Sequence, residues 1–216
     1  MKKFFLNIPL QKEGQLPRVH YEAVGNSRLA MEEPTSFPII PAINGYVKEG
    51  EEFQVVAVMQ PDNDDAKRNF GYLQQELREL CGRKGIPYPE EGVPEWIKVI
   101  PGPQTQKVLN NVGTFQKLID CTADDDELFA CVTYGTKPMS MALLMAVRYS
   151  RRLKSNARVS CVVYGEVDRR DSKDTKDWLA WVYDETALVE LDEITRLLAG
   201  RGVEKPEEVI RSIIEI

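Results

Sequence analysis

The segment Thr133-Tyr134-Gly135-Thr136-Lys137-Pro138-Met139-Ser140 carries hydroxyls, a glycine and a lysine between two apolar runs. Leu128–Val132 before it reads as a buried strand, and Met139–Val147 after it, interrupted mainly by Ser140, reads as a buried helix. A polar turn between such elements lies at the carboxyl end of a parallel strand, where open α/β sheets bind ligands. The helix start offers unpaired N–H groups and the positive end of a dipole, a natural phosphate cradle. In that role Gly135 lets the backbone approach the ligand, Thr133, Thr136 and Ser140 supply hydroxyls, and Lys137 supplies a point charge. The same residues also fit a plain helix start, with Thr136 as N-cap, Pro138 in the first turn and Lys137 solvated. Neither GxxxxGK[ST] nor GxGxxG occurs, so the turn by itself identifies no nucleotide.

The elements needed to hold this turn are legible around it. Apolar, β-branched or aromatic runs predict strands at Lys3–Ile8, Phe53–Met59, Trp96–Ile100, Leu128–Thr133, Arg158–Tyr164 and Trp178–Tyr183. Val55–Met59 and Phe129–Val132 are continuously apolar, as expected of strands covered on both faces. Helical spacing joins Ala66, Phe70, Leu73, Leu77 and Cys81 up to Gly82, and again Val108, Val112, Phe115 and Ile119. Met139–Leu153 is the helix after the polar turn; its all-round apolar start predicts burial on more than one side, within the domain or against a subunit partner. A strand around Tyr21–Met31 and a helix through Ile39–Val47 are expected, although Pro41 and Gly45 oppose the latter. Thr186 is a candidate cap for a helix through Leu188–Leu198 closed by Gly200 and Gly202, and Glu207–Ile214 reads as one more. Alternating strands and helices predict an α/β fold: a Rossmann-like, mainly parallel sheet with helices on both faces and short C-terminal helices. No internal repeat or linker divides the chain, so residues 167–216 are read as a strand and helical extension of the domain formed by 1–166.

Other polar groups read as structure. Asp62-Asn63-Asp64-Asp65 lacks the spaced glycine and closing glutamate of a calcium loop and is expected to cap the Ala66–Cys81 helix. Asp124-Asp125-Asp126 reads as a solvated turn. Arg148, Arg151, Arg152 and Lys154 read as a favourable basic helix end, and Asp168–Asp177 as an exposed loop or hairpin. The single histidine, His20, has nothing nearby in sequence to orient it, and the four cysteines have no CxxC pair. Reduced, mostly buried thiols are expected, with no metal and no cofactor.

A net charge of −6 argues against long nucleic acid but leaves room for a small anion in a local pocket. No apolar stretch approaches the length of a membrane span, and Met1-Lys2-Lys3-Phe4-Phe5-Leu6 is too short for an export signal, so no membrane contact and a cytoplasmic location are expected.

Thr133-Tyr134-Gly135-Thr136-Lys137-Pro138-Met139 after an apolar strand resembles the T-x-G-T-K-x-M signature of CRISPR-associated Rossmann fold (CARF) domains. Val163-Tyr164-Gly165-Glu166 is similar to the Tyr-Gly strand ending of one branch of that family. The resemblance spans residues 2–166, with about a dozen specific positions; Tyr134 stands where the family often has a second glycine. It implies binding of cyclic oligoadenylate, a second messenger of CRISPR antiviral signalling, in a pocket shared across a two-fold homodimer. Some members also cleave the ring without a metal, as ring nucleases. On this resemblance Lys137 and Thr136 would serve cleavage, and Asn7, Gln11, Lys12, Thr133, Tyr134, Gly135, Ser140, Tyr164 and Gly165 would bind ligand. The residues after Gly165 are too few for most effector domains, which favours a standalone ring nuclease. Two alternatives remain open: a non-catalytic sensor that regulates a partner protein, and an unrelated nucleotide-binding Rossmann enzyme.

Overall fold

The computed structural model describes residues 1–105, 107–170, 172 and 174–214. Seven strands form one sheet: β1 (Lys2–Asn7), β2 (Glu22–Val24), β3 (Phe53–Met59), β4 (Ile97–Pro101), β5 (Glu127–Cys131), β6 (Arg158–Asp168) and β7 (Leu179–Asp184). Their order is β2-β7-β6-β5-β1-β3-β4. Every pairing is parallel except β6 with β7. The fold is therefore a Rossmann-like α/β fold. From central β1 the chain first reaches β2 at the far edge beside β7, then fills β3 and β4 on the opposite side of β1 before crossing back to β5 and β6. The β1–β5 crevice is thus the topological switch point.

The continuously apolar strands are explained by two cores. Phe4, Leu6, Val55, Ala57, Phe129 and Cys131 face one side of the sheet, where they pack with α1 (Ile39–Tyr46) and α2 (Asp64–Arg83). Phe5, Val56, Val58, Leu128 and Ala130 face the other, beneath α3 (Val108–Ile119), α4 (Lys137–Leu153) and α5 (Thr186–Gly200). Phe129 is fully buried in the sheet interior, stacked on Phe4 with ring centroids 4.4 Å apart. A sixth helix, α6 (Pro206–Ile214), follows. Among the described residues no helix is long and apolar enough to cross a membrane.

Several expectations need correction. The strand predicted around Tyr21–Met31 is only Glu22–Val24, because Gly25 turns with φ +79° and Asn26 caps a 3-10 turn over Ser27–Leu29. Pro41 is accommodated in the first turn of α1, where no intrahelical N–H is needed. Gly45 is required there, since a Cβ would meet the Arg28 carbonyl oxygen. Thr186 is the first helical residue of α5 rather than its cap; its Oγ1 accepts from the Val162 N–H at 2.8 Å, fixing the helix start to β6. Asp126 is not solvated: it is 3% exposed and bridges the buried Lys3 ammonium at 2.7 Å and the N-terminus at 3.3 Å.

Asn63 caps α2 through a 2.8 Å bond from Ala66 N–H, as expected of that acidic run. The arginines at the end of α4 pair with α5: Arg148 with Asp192, Arg151 with Glu190, and Arg152 with Asp192 and Glu193. The segment expected as a charged loop connects β6 and β7 as a hairpin; Asp171 and Lys173 within it lie outside the described residues.

Burial of α4 is one-sided. Met139, Ala142, Leu143, Ala146 and Val147 meet the sheet, whereas Met141, Met145 and Leu153 lie open. The stripe on α3 is likewise exposed at Val108, Leu109 and Val112. The two helices pack against each other and leave an apolar outer face.

Candidate functional site

The polar turn lies outside the carboxyl ends of β5 and β1. Strand β5 ends at Cys131, two residues earlier than the sequence suggests, so Thr133 already belongs to the turn. Its hydroxyl accepts from Gly165 N–H at 2.8 Å and from the Cys131 thiol at 3.3 Å, which ties the turn to β6. Asn7, the last residue of β1, is 1% exposed and donates from Nδ2 to the Tyr134 carbonyl at 3.1 Å. Ser140 Oγ donates to the same carbonyl at 3.2 Å. The turn is thus held across the switch point and from within α4.

Gly135 has φ +96°, and a Cβ on it would sit 2.8–2.9 Å from atoms of Asn7. The close approach that requires glycine is therefore to Asn7. Thr136 is the extended N-cap of α4, and its carbonyl accepts from Ser140 N–H at 3.0 Å. Lys137 opens the helix and is exposed. Its ammonium stands at a helix N-terminus, where an anion would meet N–H groups and positive charge together.

Tyr134 turns inward, to the α1/α2 side. Its phenol donates to the Ser36 carbonyl at 2.7 Å, and burial holds it well above its ordinary pKa. The N–H of Ser36 is in turn bound by the buried Glu76 carboxylate at 3.0 Å. Tyr164 and Gly165 part company, because neighbours on a strand face opposite sides. Tyr164 is exposed and stacks on Tyr183 at 6.4 Å, while Gly165 packs under Pro38, whose Cγ would lie 2.2 Å from an added Cβ. Gly165 is needed for that contact.

Gln11 and Lys12 follow β1 in an irregular loop. Arg68 and Asn69 on α2 hold the Gln11 carbonyl at 2.8 and 2.9 Å, and Asn69 also donates to Pro9. Lys12 starts a turn closed by Gln15 N–H at 2.9 Å and is exposed at the surface. His20 is exposed as well.

A cavity of about 170 Å³ opens beside the turn on the α1/α2 side. It gathers Gln11, Thr133, Tyr134 and Gly165 from the sequence-based set, and adds Gln15, Tyr21, Arg169 and Trp178. These additions carry no motif. Trp178 was legible only as the start of a strand, and Arg169 only as one charge in a charged loop.

These features define an α/β protein with a Rossmann-like sheet and an anion-compatible turn at its switch point. No protein-family model matches the chain, and no curated protein matches it either.

Proposed function

We propose that this protein binds cyclic oligoadenylate at the carboxyl edge between β1 and β5 and, as a two-fold dimer, cleaves it without a metal. The observation that carries the reading is the placement of Gly135-Thr136-Lys137: the turn begins 17-residue α4 at the switch point and is braced by buried Asn7. A phosphate there meets helix N–H groups and the Lys137 ammonium. The resemblance of Thr133–Met139 to the CARF signature supplies the ligand class.

Cleavage is transfer within the ring. A ribose 2′-oxygen forms a bond to the adjacent phosphorus, and the bond from phosphorus to the neighbouring 5′-oxygen breaks. The hydroxyl proton ends on that leaving oxygen, giving a 2′,3′-cyclic phosphate and a 5′-hydroxyl. Lys137 and the amides around Thr136 offset the negative charge that grows on the phosphoryl oxygens. Holding the attacking and leaving oxygens in line supplies the rest, and several kcal/mol can come from positioning alone.

The open apolar face on α3 and α4 supports the dimer. Leu109 is 83% exposed and Met141 63%, and Met141 lies one turn from Lys137 on the same helix. A second copy packed there brings two turns to one cleft, matching a ring with rotational symmetry.

Purified protein incubated with cyclic tri-, tetra- and hexa-adenylate in the presence of EDTA, with products resolved by chromatography, tests the reading. Linear products ending in 2′,3′-cyclic phosphate are expected. Binding without cleavage would leave a sensor, and neither would overturn the reading. Light scattering of wild type and Met141→Glu tests the dimer, with a monomeric variant expected.

A further inference from the structure

We infer that the cavity at the amino-terminal edge of the sheet, between Trp96 and the carboxylates of Glu52 and Glu95, is a second ligand site that takes a guanidinium on an apolar stem. It lies at the opposite edge from the Gly135-Thr136-Lys137 turn and is independent of the ring-binding reading. At about 430 Å³ it falls within the range of roughly 300–1,000 Å³ for small-molecule sites. It is built where β3 and β4 begin side by side. Val55 N–H donates to the Trp96 carbonyl at 2.9 Å, so Glu52 and Glu95, just before the two strands, line one mouth.

The apolar wall is held in place from behind. Phe53 is buried, and the half-buried Trp96 ring packs on it with centroids 4.8 Å apart. Tyr88 meets the same indole edge to face at 5.6 Å. Ile86 and Pro87, in the loop after α2, complete the wall. An alkyl stem leaves water against these side chains, and indole is the ring that attracts a cation best.

Charge decides the sign of the ligand. Glu52 and Glu95 are exposed at the mouth, and among the described residues no lysine or arginine lines the cavity. Three cations of this edge are engaged elsewhere. The Lys2 ammonium pairs with Glu51 at 2.7 Å, Lys84 donates to the Val47 carbonyl at 2.7 Å, and the N-terminal ammonium meets Asp126 at 3.3 Å. Glu52 and Glu95 are thus left without a basic partner among the described residues. Like charges on neighbouring strands repel, and a cation between them relieves this. A guanidinium suits the place better than an ammonium, because it is planar, stacks on aromatic faces, forks to carboxylates and is more weakly hydrated.

Calorimetry of the wild type with n-butylguanidine, and with n-butylurea as its neutral isostere, tests this. Saturable binding of butylguanidine is expected, about tenfold tighter than butylurea, the scale of a hydrogen bond to a charged group. Glu52→Gln combined with Glu95→Gln should remove that advantage and leave circular dichroism unchanged, since both side chains are exposed. Glu22→Gln combined with Glu32→Gln takes the same charge from exposed positions elsewhere and should leave binding as it is. Agmatine and N-acetylarginine amide then distinguish a free cation from an arginine of a protein chain, by which of them binds more tightly. The inference is overturned if the wild type shows no saturable binding, if butylurea binds as tightly, or if the Glu52/Glu95 variant keeps full affinity. Equal weakening by both double variants overturns it too, since that is the general pull of an acidic protein. None of these results bears on the turn at the carboxyl edge.

Discussion

The Asn7 carboxamide donates to the Tyr134 carbonyl at 3.1 Å across the crevice between β1 and β5. One buried amide thus sets the distance between the end of the first strand and the turn that begins α4. Gly135 lies directly over it, which makes that glycine the most exacting position in the turn.

Gly135→Ala should therefore be costly twice, through a strained φ of +96° and through contact with Asn7. A loss of about 1–3 kcal/mol is expected from the backbone alone. Urea denaturation measures it. An unchanged midpoint would show that the turn relaxes freely and that Asn7 does not brace it.

Lys137→Ala should leave the fold intact, since the side chain is exposed. On the proposed function, ring binding weakens by about 1.5–3 kcal/mol per site, the range for a hydrogen bond to a charged group. Cleavage should fall further, because phosphoryl charge grows in the transition state. Lys137→Arg should rescue binding only in part, given its planar geometry. Calorimetric affinity and single-turnover cleavage check both variants.

Tyr134→Phe keeps the ring and removes the donor to Ser36. The buried carbonyl left without its partner should cost about 1–2 kcal/mol. The variant separates the inward role of Tyr134 from its neighbours' outward one: stability should drop in thermal melts while the exposed Lys137 is untouched.

Asp126→Ala removes the carboxylate facing Lys3, which is itself 9% exposed. An uncompensated buried ammonium typically costs about 3–5 kcal/mol. A melt showing less than about 1 kcal/mol of destabilisation would mean that the Lys3 side chain swings out to water.

All four thiols are buried and held above their ordinary pKa, chiefly by burial: Cys161 up to about 12, Cys81 up to about 11, and Cys121 and Cys131 upward. Native protein at pH 8 should resist iodoacetamide, and urea should expose all four to labelling. Because the folded values are raised, unfolded thiols ionise first, near about 8.5. The thiol contribution to stability is thus fully present below that pH and is lost as pH rises towards the folded values. Stability that does not decline between pH 8 and 10.5 would contradict this.

The sequence alone determined six of the seven strands in outline, the main helices and the polar turn, because those depend on local pattern. Val108–Ile119 and Phe53–Met59 were delimited to the residue by spacing and apolar continuity. Gly135-Thr136-Lys137 stood out because a strand, a turn and a helix start are adjacent along the chain. Tertiary structure decided what the turn touches. Asn7 and Tyr134 are 127 residues apart, and only the β1–β5 register brings them together. The same holds for Asp126, an ordinary turn residue until β1 delivers Lys3 beside it. Trp178 and Arg169 reach the cavity only because β6 and β7 extend past the sheet edge. Tyr164 and Gly165 looked like one motif, yet the pleat sends them to opposite faces. Periodicity records which residues are buried; strand order and register, fixed by the packing of the whole sheet, decide which of them meet.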